Sequence, residues 1–268
     1  MTQFNGPIDI LKMLDSSNCG KCHKPTCLAF AGAVFKGQSK LDDCPKLESD
    51  VIEKYGDYTS SHISADQLGN AAIDHLKNRI AQIDLASAAQ RLGADYEDGK
   101  LTIKCLGKDV SITQDGSIIT EIHVNLWMAG PILTYILDGK GVEVSGKWVT
   151  FRDLDGGEYK YPLFEQRCEK PLKRVADTYT GLFEDMLQIF NGKKVDYHYF
   201  ADISIMLHPL PKVPIMICYS KPVDDLESTL SIFFDSTIVD NLGFDGAFSL
   251  GAGLTLMFEK IALRHSGR

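Results

Sequence analysis

Four of the chain's seven cysteines stand in one short stretch, NCGKCHKPTCLAFAGAVFKGQSKLDDCP, from Asn18 to Pro45. Cys19, Cys22, Cys27 and Cys44 follow the pattern C-x2-C-x4-C-x16-C-P. Thiols in such close order constrain a chain more than any apolar pattern, because whatever holds them pins the backbone at four points. Their use depends on the redox compartment. The N-terminus, MTQFNGPIDILKMLDSS, has no basic region followed by an apolar stretch and no small-residue cleavage site, which argues against a secretory leader. The expectation is a cytoplasmic protein whose thiols stay reduced and whose clustered four bind metal.

The spacing bears on which metal. A structural zinc site usually uses two compact C-x2-C knuckles, because one tetrahedral ion needs all four sulfurs at about 2.3 Å. The second knuckle is missing here. A cubane offers four iron corners and takes ligands from more widely separated backbone sites. The surroundings also suit an anionic group: Ser16 to Leu41 contains no Asp or Glu yet holds Lys21, Lys24, Lys36 and Lys40, in a chain of formal net charge -8. Zinc and unligated structural thiols stay open as alternatives to a 4Fe-4S cluster.

The same stretch resembles the 4Fe-4S module of the corrinoid iron-sulfur protein large subunit, and a similar module occurs in electron-transport subunits of membrane ferredoxin-oxidising complexes. The likeness lies in the cysteine spacing, Pro25-Thr26 before Cys27, Phe30-Ala31 after it, and Cys44-Pro45. It implies that Cys19, Cys22, Cys27 and Cys44 ligate one low-potential 4Fe-4S cluster. Beyond Cys44 the chain is too short for the barrel and corrinoid domain of that protein. It resembles instead an uncharacterised domain family of anaerobes, on GKWVTFRDLDGGEYKYPLF (146–164), LPKVPIMICY (210–219) and LSIFFDST (230–237). The resemblances imply anaerobic electron transfer, with a redox partner such as a ferredoxin and a corrinoid or corrinoid protein as candidate ligand or partner. The rival expectation is a non-enzymatic iron-sulfur scaffold or redox sensor. Whether any reaction is catalysed stays open.

The rest of the chain predicts two domains, an iron-sulfur domain at 1–60 and a larger one at 61–268. The fold class expected is α+β, a small helical and loop-rich domain followed by a mixed one. Short helices are expected from Pro7 to Leu14, from Pro25 with Cys27, Leu28, Ala31, Val34 and Phe35 on one face, and from Leu47 to Tyr55. GDYTSSHIS (56–64) reads as a linker. Ser64-x-x-Gln67 suggests a capping box opening a helix whose stripe is Leu68, Ala72, Leu76, Ile80 and Ile83, with Asp84 to Leu92 continuing or restarting it. Lys100 to Thr113 reads as a hairpin containing Cys105; Asn125 to Leu137 and Lys170 to Phe190 read as helices; DISIML, VPIMICY and LSIFFD read as strands. A terminal helix is expected over 246–263. The irregular order of strands and helices favours α+β over a doubly wound sheet.

Composition excludes some classes. The negative charge and the lack of a dense basic patch argue against nucleic acid. No stretch is expected to span a bilayer, GAFSLGAGLTLMF (246–258) being short and interrupted by glycine. Asp196-Tyr197-His198 begins like a base-off cobalamin motif, but Ala201 stands where glycine is needed. Trp127, Trp148, Tyr159, Phe164, Tyr197 and Phe200 are candidate walls of a broad ligand pocket, and equally candidates for core. Phe151 and Arg152 beside Trp148 could meet a planar or anionic ligand. His23 is expected exposed, DLDGG (153–157) a turn, and His208, Cys105, Cys168 and Cys218 packed residues without a ligand role. No hydrolase, transferase or dinucleotide fingerprint is present.

Overall fold

The computed structural model describes residues 4, 6–55, 65–122, 124–179, 181–195 and 201–265. By its internal contacts the chain divides into two units, Met1–Ala71 and Ala72–Arg268. Helices combine with antiparallel sheets, the α+β class that the sequence predicts.

The first unit has α1 (Pro7–Leu11), α2 (Cys27–Phe35), a 3-10 turn at Leu41–Asp43 and α3 (Ser49–Tyr55). Pro7 opens α1 in its first turn, where its missing N–H costs nothing. Helix α2 corrects the expected start at Pro25. Thr26 is the N-cap, its hydroxyl accepting the Ala29 N–H at 3.0 Å, because the first turn needs an acceptor that proline lacks. The buried face of α2 also shifts: Cys27, Phe30, Ala31 and Val34 turn inward, while Leu28 is 53% exposed. They pack with Ile10, Leu14, Leu41, Cys44 and Leu47 in a small core. So few apolar side chains hold a unit of this size weakly, which is where a metal group adds most to stability.

The expected linker at 56–64, with Ser64 of the capping box, lies outside the described residues, as do Asp196, Tyr197, His198 and Phe200. Helix α4 (Ala65–Ile80) packs through Ile73, Leu76 and Ile80; Ala72, placed on the stripe by the sequence, is exposed. Asp84 restarts the chain as α5 (Leu85–Leu92), its carboxylate accepting the Ala86 N–H at 3.1 Å. A four-stranded antiparallel meander follows: β1 (Asp95–Glu97), β2 (Lys100–Cys105), β3 (Lys108–Thr113) and β4 (Ile118–Thr120). The register Leu101↔Ile112 and Ile103↔Val110 places the apolar partners on the core face.

Helix α6 (Leu126–Asp138) is capped by Asn125, whose Oδ1 accepts the Met128 N–H at 3.0 Å. Next come β5 (Trp148–Thr150), α7 (Gly157–Phe164), a π-helical turn at Glu165–Glu169, α8 (Lys170–Thr178), α9 (Leu182–Ile189), β6 (Lys193–Lys194), β7 (Ile203–Leu210), β8 (Val213–Ser220), β9 (Thr229–Asp235), α10 (Ile238–Asn241) and α11 (Phe244–His265). The second sheet has the order β5-β9-β8-β7-β6, with antiparallel neighbours. The single helix expected over 170–190 is two. Tyr179 turns extended at the end of α8, and the Thr178 hydroxyl bonds back to the Arg174 carbonyl, so the ladder stops before Gly181.

Helix α11 overturns the expectation that no segment approaches bilayer length, for Phe244–Arg264 is long and apolar enough to cross one. Its Ala247, Leu250, Leu254 and Phe258 lie in the main core of the larger unit, as in the core helix of a packed domain. The π turn has a structural use. It places Glu169 beside β9 just past the point where β5 stops pairing; Glu169 Oε1 accepts the Ile232 N–H at 3.0 Å and Oε2 accepts the Tyr161 hydroxyl at 2.9 Å. A carboxylate thus completes a strand edge.

Candidate metal centre

The loop from Ser16 to His23 carries the first two thiols. Its backbone enters the left-handed region at Ser16 (φ 55), Asn18 (φ 50), Gly20 (φ 70) and His23 (φ 58). Three of these residues are not glycine, and such conformations persist only where surrounding contacts hold them. Loops that visit this region repeatedly turn backbone N–H groups toward one side, making concavities that suit anions. Asn18 shows the effect: its N–H donates to Cys27 Sγ at 3.3 Å while its side-chain Oδ1 accepts the Cys27 N–H at 2.7 Å. Cys19 gains similarly, the Lys21 backbone N–H beside its sulfur holding the thiol below its usual range.

Cys27 and Cys44 are buried in the small core of the first unit, and half-buried Cys22 packs against it. Cys19 is exposed on the loop. Among the described residues no three His, Cys, Asp or Glu side chains converge as donors to a single metal ion. Thiols with N–H donors on two of the sulfurs are the donor chemistry that an iron-sulfur group takes.

A charged network lies beside them. Lys46, just after Cys44-Pro45, reaches back to the ligand loop, its Nζ 2.8 Å from Asp15 Oδ2 and 2.9 Å from Ser17 Oγ. Asp15 Oδ1 accepts the Ser17 N–H and hydroxyl and lies 4.0 Å from Cys27 Sγ. The Lys46 ammonium and the Ser17 donors hold the Asp15 carboxyl down to about 2, and Asp15 in turn holds Lys46 above the usual lysine range. Sequence reading missed Asp15, Ser17, Asn18 and Lys46. The only signal was position, since Asp15 and Lys46 lie just outside the segment that holds the four cysteines, and no local pattern pairs residues so far apart.

The other candidates separate. His23 is exposed. Cys105, Cys168 and Cys218 are buried in the larger unit, and burial pushes the Cys105 thiol up to about 12 and the other two upward as well. Burial likewise lowers His208. Among the described residues, the aromatics proposed as pocket walls divide between core and surface, Trp127 and Phe164 sharing Phe248 as a neighbour. Phe164 is fully buried and stacks on Phe151 at 4.3 Å, Tyr159 is 91% exposed, Trp127 packs on Phe248, and Trp148 packs by Met216, Cys218 and Phe233. Tyr197 and Phe200 lie outside the described residues. Arg152 sits over the Tyr161 ring at 4.2 Å, so its flat face is occupied by an aromatic neighbour of its own domain. A groove of about 480 Å³ between α8 and α11, lined by Arg174, Val175, Leu256, Lys260 and Leu263, contains none of these aromatics.

Two family models match the chain. One, described as "Putative Fe-S cluster", covers residues 14–46; the other, "Domain of unknown function (DUF3786)", covers 84–257. The N-terminal segment is 40% identical over 47 residues to acetyl-CoA decarbonylase/synthase complex subunit gamma of Methanothermobacter thermautotrophicus. It is 42% identical over 45 residues to subunit gamma 1 of that complex from Methanosarcina thermophila. With the corrinoid/iron-sulfur protein large subunit of Moorella thermoacetica the identity is 50% over 46 residues. These matches cover 18%, 17% and 17% of this chain and 10% of each relative, so the chain spans about a tenth of the length of the curated relatives it matches. No solved structure matches. The head is therefore homologous to a segment of these subunits, and its cofactor is of the iron-sulfur class.

Proposed function

Since the chain belongs to the DUF3786 family and carries an iron-sulfur segment ahead of that domain, we propose that it is a one-electron carrier whose head holds one 4Fe-4S cluster on Cys19, Cys22, Cys27 and Cys44. The observation that carries the reading is the grouping of Cys22, Cys27 and Cys44 about one small core, with Cys19 on the adjoining left-handed loop. Such a cluster supplies reversible one-electron chemistry, and four cysteine ligands leave no iron corner for substrate. The chain's own residues bury two of the cysteines and donate N–H groups to two sulfurs, and the acid-free stretch that carries three of the cysteines holds four lysines, a charge that favours an anion.

On this reading the larger domain docks the redox partner, a ferredoxin or a subunit of an assembly like those of the relatives, in the cytoplasm of an anaerobe. The head spans about residues 1–60 and the docking domain 61–268. Anaerobic purification tests the cluster: about four irons and four sulfides per chain are expected, and one zinc without sulfide overturns it. Reversible low-potential reduction with transfer to an acceptor favours the carrier. A cluster that falls apart on reduction favours the scaffold or sensor.

The second reading is a corrinoid as the larger domain's own ligand; against it, Phe164 is committed to the core while Tyr159 stands in solvent. Incubation with cob(II)alamin and a low-potential reductant separates the two readings. Co-elution and faster formation of cob(I)alamin would support corrinoid binding, and neither at high micromolar cofactor would overturn it.

A further inference from the structure

We propose that Asp15 and Lys46 act in opposite directions on the reduction potential of the head, the carboxylate standing against the Cys27 sulfur and the ammonium tied beside it. The inference rests on the four-thiolate cluster reading and deepens it.

The geometry is specific to these two residues. Lys46 Nζ bonds Asp15 Oδ2 at 2.8 Å and Ser17 Oγ at 2.9 Å, so the segment after Cys44 is tied to the loop that leads into Cys19. Asp15 Oδ1 stands 4.0 Å from Cys27 Sγ. Ser17 clamps that carboxylate with both its N–H, at 3.1 Å, and its hydroxyl, at 2.8 Å. Lys21, Lys24, Lys36 and Lys40 lie along the intervening chain, but Lys46 is the lysine tied by these bonds to the ligand loop.

Reduction by one electron, delivered by an external low-potential donor, adds one negative charge to the site and takes up no proton in this account. A fixed cation nearby favours that change and a fixed anion opposes it. The pair nearly cancels. Removing one member leaves the other unopposed, so the two neutral variants move the potential in opposite directions. Side-chain exposures of 37% for Lys46 and 35% for Asp15 limit the effect by solvent screening. The expected change is about three- to tenfold in the ratio of reduced to oxidised protein at a fixed solution potential, tenfold being about 59 mV for one electron.

The test is a dye-mediated redox titration of the full-length, cluster-loaded protein at one pH, followed by electron paramagnetic resonance of the reduced state. Asp15→Asn should raise the potential and Lys46→Gln lower it, with the double variant near the wild type. Asp15→Glu and Lys46→Arg, which keep the charges, should restore the wild-type value. Asp15→Ser and Lys46→Met serve as second neutral variants, so a substitution that fails to load iron does not end the test. A purely structural clamp would lower iron content in both variants without opposite shifts. Fully loaded variants that stay at the wild-type potential, or move the same way, overturn the inference while leaving the cluster reading standing. Wild-type protein without iron and sulfide overturns the cluster reading itself.

Discussion

Asn18 takes a backbone conformation that most residues avoid, and from it serves Cys27 twice, giving an N–H to the sulfur and an acceptor to the Cys27 N–H. Asn reaches the left-handed region more easily than most side chains, which accounts for its place there. Asn18→Ala should lower the stability of the head by about 1 kcal/mol, the worth of a helix-start hydrogen bond, read as a fall in its thermal midpoint. At the same scale, alanine at any one of Cys19, Cys22, Cys27 or Cys44 should reduce bound iron and sulfide. Alanine at Cys105, Cys168 or Cys218 should leave both unchanged, since burial within the larger unit keeps those thiols protonated. Glu169 carries a pH effect. Burial pushes its carboxyl above the usual range despite the bonds from Ile232 and Tyr161. The native state therefore keeps the proton longer than the unfolded chain, and stability falls as pH rises from the ordinary glutamate value through the raised one. Glu169→Gln should flatten that decline in urea midpoints measured across the interval. Glu169→Ala should cost about 1–3 kcal/mol by stranding the Ile232 N–H and the Tyr161 hydroxyl.

At the scale of elements, α11 owes its burial to small residues as much as to large ones. A Cβ on Gly251 would stand 2.8 Å from the Phe164 ring and 3.3 Å from Cys168 Sγ, and one on Gly253 3.0 Å from the Trp127 carbonyl. The glycines let α7 with its π turn, and α6, approach the helix. Gly251→Ala should cost about 1–3 kcal/mol by overpacking against Phe164, and Gly251→Leu should prevent native packing, both read by denaturant unfolding and near-UV circular dichroism. These glycines are what made the segment look too interrupted to be long. In the sequence a glycine marks a turn or a close approach with equal force; its neighbours in space distinguish the two.

Across the molecule, the two units have separate hydrophobic cores, Ile10 to Leu47 in one and Ile80 to Ala262 in the other. Thermal unfolding of the iron-loaded protein should show two transitions. Removing iron with a chelator under anaerobic conditions should abolish or strongly lower the head's transition and leave the other within a few degrees, because metal-ligand free energy counts toward folding only where the ligands are. A single transition lost entirely on iron removal would contradict this. Calorimetry with parallel iron assay makes the measurement.

The sequence by itself determined what local chemistry can dictate: the iron-sulfur class of the N-terminal segment, the α+β mixture, the β2–β3 hairpin, the helix opened by Asn125, and the three long strands of the second sheet. Each depends on spacing, capping or alternation within a few residues. Tertiary structure alone decided the rest. The choice between Cys27-Phe30-Val34 and the face with Leu28 follows from where Ile10 and Leu41 pack, a rotation of one residue that periodicity tolerates. The break after Thr178 and the π turn before Lys170 depend on Tyr179 turning away and on β9 needing an edge partner. The division of Trp127, Trp148, Tyr159 and Phe164 between core and surface was invisible because composition counts aromatic residues without saying which surfaces they share. Asp15 and Lys46 meet across 31 positions of chain, and only folding brings a pair so separated beside the sulfurs, since the energy that selects the contact is electrostatic and depends on distance in space.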